Sequence, residues 1–168
     1  MWNRLIAFLL IASGLFCLGS GKRGEGVLIS FHLETGREEW PKFAQAVKMG
    51  DPAQQFYFKL SPALTDADVL WFFPFISEDG VTYGAAFKLK DAPSQRLTTL
   101  TSDPALRGKL MGVHVQPIGP KSAPVQSYLQ IDRRITDGTL VIWKGLTDGH
   151  LRAFSQRFPH YRDFKGKS

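Results

Sequence analysis

The stretch Gln130-Ile131-Asp132-Arg133-Arg134-Ile135-Thr136-Asp137-Gly138-Thr139-Leu140-Val141-Ile142-Trp143-Lys144-Gly145-Leu146-Thr147 decides how this chain is read. Its pattern is strand, turn, strand and helix start. Leu140 to Trp143 is a short, β-rich apolar run bounded by Asp137-Gly138 and Gly145, the punctuation of a buried strand. Asp-Gly supplies the positive φ of a tight turn, and Gly145 marks the strand exit. Thr147 offers a side-chain oxygen to the first amides of the helix that follows.

Downstream, Leu151, Phe154 and Phe158 recur at helical spacing, so a helix is expected from Asp148 to about Phe158, stopped by Pro159. Upstream, Val125 to Ile131 is expected to complete one sheet with Leu140 to Trp143. Pro117 to Pro124 holds three prolines and a glycine and reads as an exposed loop. In Lys109 to Gln116, Met111, Val113 and Val115 alternate inward. Asp91 is the expected cap of a helix with Pro93 in its first turn and Leu97 and Leu100 as its inward stripe; Ser102-Asp103-Pro104 ends it or kinks it.

Val69 to Ile76 is the most apolar run after the leader. Pro74 places it at a sheet edge or a bulge, and Glu78-Asp79-Gly80 turns it into the strand Tyr83 to Leu89. Thr65 is set to cap a single helical turn. Gln55 to Leu60 and Phe43 to Met49 read as strands joined by Gly50-Asp51-Pro52. Val27, Ile29, Phe31 and Leu33 share one face of a further strand, with His32 on the other.

The 168 residues suit one domain of ordinary size, and 43% hydrophobic with 21% charged residues is a globular composition. Residues 1–21 are of another kind: Arg4, an apolar run from Leu5 to Leu18, then Gly19-Ser20-Gly21. That is the layout of a secretory signal peptide, too short to span a bilayer comfortably; a retained membrane anchor is the alternative. The single cysteine, Cys17, lies inside it, so the exported form is expected to hold no disulfide and no thiolate chemistry. The formal net charge of +6 draws partly on Arg152, Arg157, Arg162, Lys165 and Lys167 near the C-terminus. These are either a tail attracted to anionic lipid or wall polymer, or a solvated helix end. Nucleic acid is not an expected partner of an exported protein.

Catalytic patterns are scarce. The histidines, His32, His114, His150 and His160, have no second ligand at metal spacing. No serine sits in a Gly-x-Ser-x-Gly turn, and Gly24-Glu25-Gly26 precedes a strand where a phosphate loop would precede a helix. Asp66 and Asp68 lie where a helix N-terminus favours negative charge. No cofactor, no metal and no enzymatic activity are expected. The aromatic residues Trp71, Phe72, Phe73 and Phe75 either line a groove or peptide-binding edge, or form a core strand covered on both faces.

From Leu60 to about Phe158 the order of motifs resembles the head subdomain of the first periplasmic domain of SecD, a subunit of the SecDF protein-export machinery. The matching pieces are Ser61-Pro62-Ala63-Leu64-Thr65-Asp66-Ala67-Asp68-Val69, then Gly84-Ala85-Ala86-Phe87-Lys88-Leu89 with Arg96-Leu97 and Leu100-Thr101 in the next helix. Gly108-Lys109-Leu110, Ile131-Asp132-Arg133-Arg134-Ile135-Thr136-Asp137-Gly138 and Ile142-Trp143-Lys144-Gly145-Leu146-Thr147 complete the series. The family usually carries an acidic residue three positions past the last helix cap; here that position is His150, beside Gly149, which implies a weaker start. SecD continues into membrane helices that hold proton-driven export, and none follows here before Ser168.

The resemblance implies a stand-alone, non-enzymatic α+β relative of that head: an antiparallel sheet with two helices packed on one face, preceded by a β-rich N-terminal part. The expected divisions are 1–21 signal peptide or anchor, 22–60 β-rich extension, 61–158 head-like domain and 159–168 basic tail. The expected location is the periplasm or cell envelope, with the N-terminal segment as a means of membrane association. The expected partner is a polypeptide or envelope protein, contacted through Trp71, Phe73, Phe75, Arg133 and Arg134.

Overall fold

The computed structural model describes residues 26–49, 52–118 and 124–161; the leader, part of the Gly50-Asp51-Pro52 turn, most of the proline-rich loop and the last of the basic tail lie outside them. Among the described residues, nine strands and two α-helices follow in order: β1 (Gly26–Leu33), β2 (Ala44–Met49), β3 (Gln54–Lys59), β4 (Leu64–Thr65), β5 (Val69–Ile76), β6 (Tyr83–Leu89), α1 (Asp91–Ser102), β7 (Leu110–Ile118), β8 (Val125–Gln130), β9 (Thr139–Leu146) and α2 (Asp148–Arg157). The fold is α+β, and every strand pairing is antiparallel.

The strands form three sheets rather than one: β4-β1-β7-β8, β2-β3 and β5-β6-β9. β8 and β9 therefore do not complete a common sheet. β8 follows β7, with Met111 opposite Leu129. Ile131 then closes against the turn before β7, donating to Lys109 O and accepting from Gly108 N–H. The chain crosses over residues 131–138, and Gly138, at φ 61°, accepts from Leu89 N–H at the end of β6. Pro117 lies in β7 opposite Val27, beyond the last pair with β8, where its missing N–H disrupts no ladder.

One core joins the inner faces of the two larger sheets and both helices. Val27, Ile29 and Phe31 of β1 meet Met111, Val113 and Val115 of β7, Phe72 of β5, Phe87 of β6, Leu97 of α1 and Phe154 of α2. Phe87 and Phe154 stand edge to face at 5.1 Å, and Phe72 lies 5.8 Å from Phe154. Because β1 sits between β4 and β7, the expected division at residue 60 runs through a single sheet. β2-β3 covers part of the other face of that sheet: Phe58 packs on Gly112, where an added Cβ would lie 2.9 Å from the ring.

Under this hairpin His32 is buried, not solvated. Its Nδ1 lies 2.7 Å from Lys59 O, and its Nε2 lies 2.8 Å from Ser30 Oγ. Burial pulls its pKa below the ordinary 6.5, the Lys59 carbonyl opposes this, and the nearby His114 adds to the lowering. The unfolded chain thus binds a proton at a pH where the folded chain still resists one. Stability should fall as pH drops below about 6.5 and level off once the folded imidazole is also protonated. Urea midpoints from pH 7.5 to 5 should show this decline in the parent and a flatter profile in His32→Gln.

Polar contacts at the helix starts refine the sequence reading. Thr65 and Asp68 form a capping box on the single helical turn 66–68, as its sequence suggests. Asp68 also pairs with Arg96 of α1 at 2.9 Å, and Asp66 with Arg157 of α2 at 2.6 Å, so one turn ties down both helices. The cap of α1 is Lys90, whose N–H is held by Asp68 O; Asp91 is the first helical residue. At α2, Thr147 N–H donates to His150 Nδ1 at 3.1 Å, and the Thr147 hydroxyl lies 2.7 Å from the same nitrogen. The imidazole therefore makes the backbone contact that an acidic side chain makes in a capping box.

Candidate functional site

Local irregularities turn the aromatic residues of β5 and β9 outward. The register of β5 against β6 slips between Val69 and Trp71, so Val69 and Phe72 both face the core although three residues apart. Trp71, Phe73 and Phe75 consequently share the opposite face. Phe73 is 43% exposed, and Trp71 and Phe75 are half-buried. Val69 to Ile76 thus buries one face in the core and leaves the other partly exposed, and it is an edge strand, as Pro74 indicates.

β9 carries a larger irregularity. Ile142 lies opposite Ala85, and Leu146 opposite Tyr83, so four steps along β9 match two along β6. Gly145 absorbs the bulge at φ 93°, its N–H donating to Thr82 Oγ1 at 3.1 Å. Trp143, expected in a buried strand, is 66% exposed, while Leu140 and Ile142 remain in the core. Phe75 meets Trp143 edge to face at 6.0 Å across Gly84. A side chain at 84 would bring its Cβ to 2.3 Å from the Phe75 ring, so the strand between the two rings must be bare there.

The loop 131–138 borders this face. Arg133 and Arg134, both exposed, line an open groove with Tyr128, Val141 and Trp143. α1 holds the loop by its threonines: Thr98 Oγ1 donates to Ile135 O at 2.8 Å, and Ile135 N–H donates to Thr101 Oγ1 at 2.9 Å. Thr101, not Leu100, is the second buried residue of α1, and its hydroxyl also donates to Leu97 O. Lys88 Nζ donates to Asp137 O at the far end of the loop. Thr101→Val would leave Ile135 N–H without its acceptor and should cost about 1–3 kcal/mol, read as a lowered urea midpoint.

The five residues expected to contact a partner therefore divide. Phe75 reaches the Arg133-Arg134 groove through Trp143. Trp71 and Phe73 lie against Tyr161 instead, at 4.7 and 6.3 Å between ring centroids. The edge of β5 is partly taken: Phe72 N–H donates to Pro159 O at 3.1 Å, and His160 forms a parallel bridge with Phe72. Of the C-terminal cations, Arg152 pairs with Asp148 and Arg157 with Asp66; Arg162, Lys165 and Lys167 lie outside the described residues. Sequence reasoning missed Trp143 and Tyr161. The Lys144-Gly145 pair after Trp143 was the available sign of a bulge.

Among the described residues no three His, Cys, Asp or Glu side chains are grouped to hold a metal, and no helix is long and apolar enough to cross a membrane. No family model matches the chain, and no curated protein matches it. Among solved structures, the chain is similar to one of SecDF, a membrane component that enhances protein export, at 17% identity and a TM-score of 0.46, over 80% of this chain and 61% of that one. It is also similar to a crystal structure of SecDF in its super-membrane-facing form, at 17% identity and a TM-score of 0.44, over 76% of this chain and 18% of that one. This chain spans less than two thirds of the length of either.

Proposed function

We propose that this protein is a non-enzymatic, exported protein that binds polypeptides in the cell envelope in connection with protein export. Its working surface is the outer face of β5-β6-β9 with the Arg133-Arg134 loop. The observation that carries the reading is the Phe75–Trp143 pair, standing on the side of the sheet away from the core beside a groove lined by two arginines. Exposed aromatics next to Arg are the residue types that anchor protein contacts. The motif resemblance to the SecD head supports the export connection and the absence of catalysis.

Binding of a reduced, alkylated, permanently unfolded protein tests the reading. The double variant Phe73→Ser/Trp143→Ser should bind about tenfold or more weakly, as loss of central aromatic anchors requires. Its far-ultraviolet spectrum should stay that of the parent, since both side chains lie outside the core. Unchanged affinity in the folded double variant contradicts the proposal.

A further inference from the structure

The C-terminal segment shows what the β5 edge accepts. After α2 the chain turns at Phe158-Pro159 and runs beside β5 as a parallel fragment. Pro159 O takes the Phe72 N–H, and His160 packs on Phe72 at 4.6 Å with its Nε2 2.9 Å from Ser155 Oγ. Tyr161, two residues beyond the accepting carbonyl, lies on Trp71 and meets Phe73 edge on. Backbone groups alternate along a strand, so those of Phe72, Pro74 and Ile76 point away from β6. Pro74 has no N–H, which leaves Phe72 as the outward donor beside the aromatic pair.

Resting on the reading above, we infer that Trp71 and Phe73 form a seat for one aromatic side chain of an extended polypeptide. A carbonyl two residues before that ring accepts from Phe72 N–H. Tyr161 is the resident occupant, and an incoming chain must displace it. The ligand class is therefore an extended segment with an aromatic residue, bound by strand addition and ring packing. Resident occupancy lowers apparent affinity in proportion to the fraction of molecules with the seat free.

The test uses the full chain and a labelled peptide of residues 157–164, Arg-Phe-Pro-His-Tyr-Arg-Asp-Phe, read by fluorescence anisotropy. Tyr161→Ala should bind the peptide about tenfold more tightly than the parent, and Tyr161→Phe should bind like the parent. A peptide with Ala in place of its Tyr should lose the gain. Tyr161 is half-buried and outside the core, so both variants should fold; Tyr161→Ala should show a lowered urea midpoint, matching the same roughly tenfold loss in the folding equilibrium, and Tyr161→Phe should keep the parent's midpoint. No gain in the folded Tyr161→Ala protein, or equal binding of the Ala peptide, overturns the inference. If that occurs while the parent still binds the unfolded protein in a Trp143-dependent way, the polypeptide-binding reading stands. If the parent binds neither, both fall.

Discussion

Phe72→Ala should remove about 3–5 kcal/mol of folding free energy, a large part of the roughly 5–15 kcal/mol that holds a domain of this kind together. The ring is fully buried and touches Phe87, Phe154, Phe158 and His160, so its loss opens a cavity where β5, β6, α2 and the C-terminal segment meet. The neighbour Phe73 lies on the other face, and Phe73→Ala should cost less than about 1 kcal/mol. Urea unfolding of the two variants reads the difference. Equal costs would mean that the register slip at Leu70 does not divide the faces as described.

Gly84→Ala should cost about 1–3 kcal/mol and weaken polypeptide binding together. The added methyl would lie 2.3 Å from the Phe75 ring and 2.7 Å from the Ile142 carbonyl oxygen. Phe75 can swing away, but the carbonyl belongs to the β9 backbone and cannot move without disturbing the ladder. The clash therefore outweighs the few tenths to 1 kcal/mol that Gly→Ala gains by restricting the unfolded chain. Once Phe75 leaves, Trp143 loses its ring partner, and the surface loses its preformed aromatic pair. A Gly84→Ala protein of parental stability and affinity would place Phe75 elsewhere.

Strict alternation makes β1 readable from sequence, the Asp79-Gly80 turn does so for β5-β6, and Leu151, Phe154 and Phe158 do so for α2. These elements depend on short-range pattern and on turn chemistry. At the tip of the β5-β6 hairpin, Asp79 accepts from the Thr82 hydroxyl, Thr82 N–H and Val81 N–H, which hold its carboxyl below the usual range. The division into three sheets was not readable, because strand partnership is decided by contacts distant in sequence. Ile131 looks like the end of β8, yet its backbone closes on Gly108 and Lys109 and sends the chain to the other sheet.

The surface was readable in part for the same reason. Pro74 announced the edge strand, but the exposure of Trp143 depends on a two-residue bulge that hydrophobic pattern alone assigns to a buried run. His150 looked like a poor substitute for a carboxylate until its ring nitrogen was seen to accept from Thr147 N–H. Tyr161 sits in a tail whose composition reads as basic and solvated, and only the packing against Trp71 gives it a place.

The central claim is that polypeptides meet the outer face of β5-β6-β9. Photocrosslinking in intact cells tests it most directly, with a benzoylphenylalanine at position 143 compared with one at position 28. Leu28 is 50% exposed, near the 66% of Trp143, but belongs to the other sheet. The account predicts crosslinks to other polypeptides from position 143 and few from position 28. Equal yields, or crosslinks from position 28 alone, would contradict it.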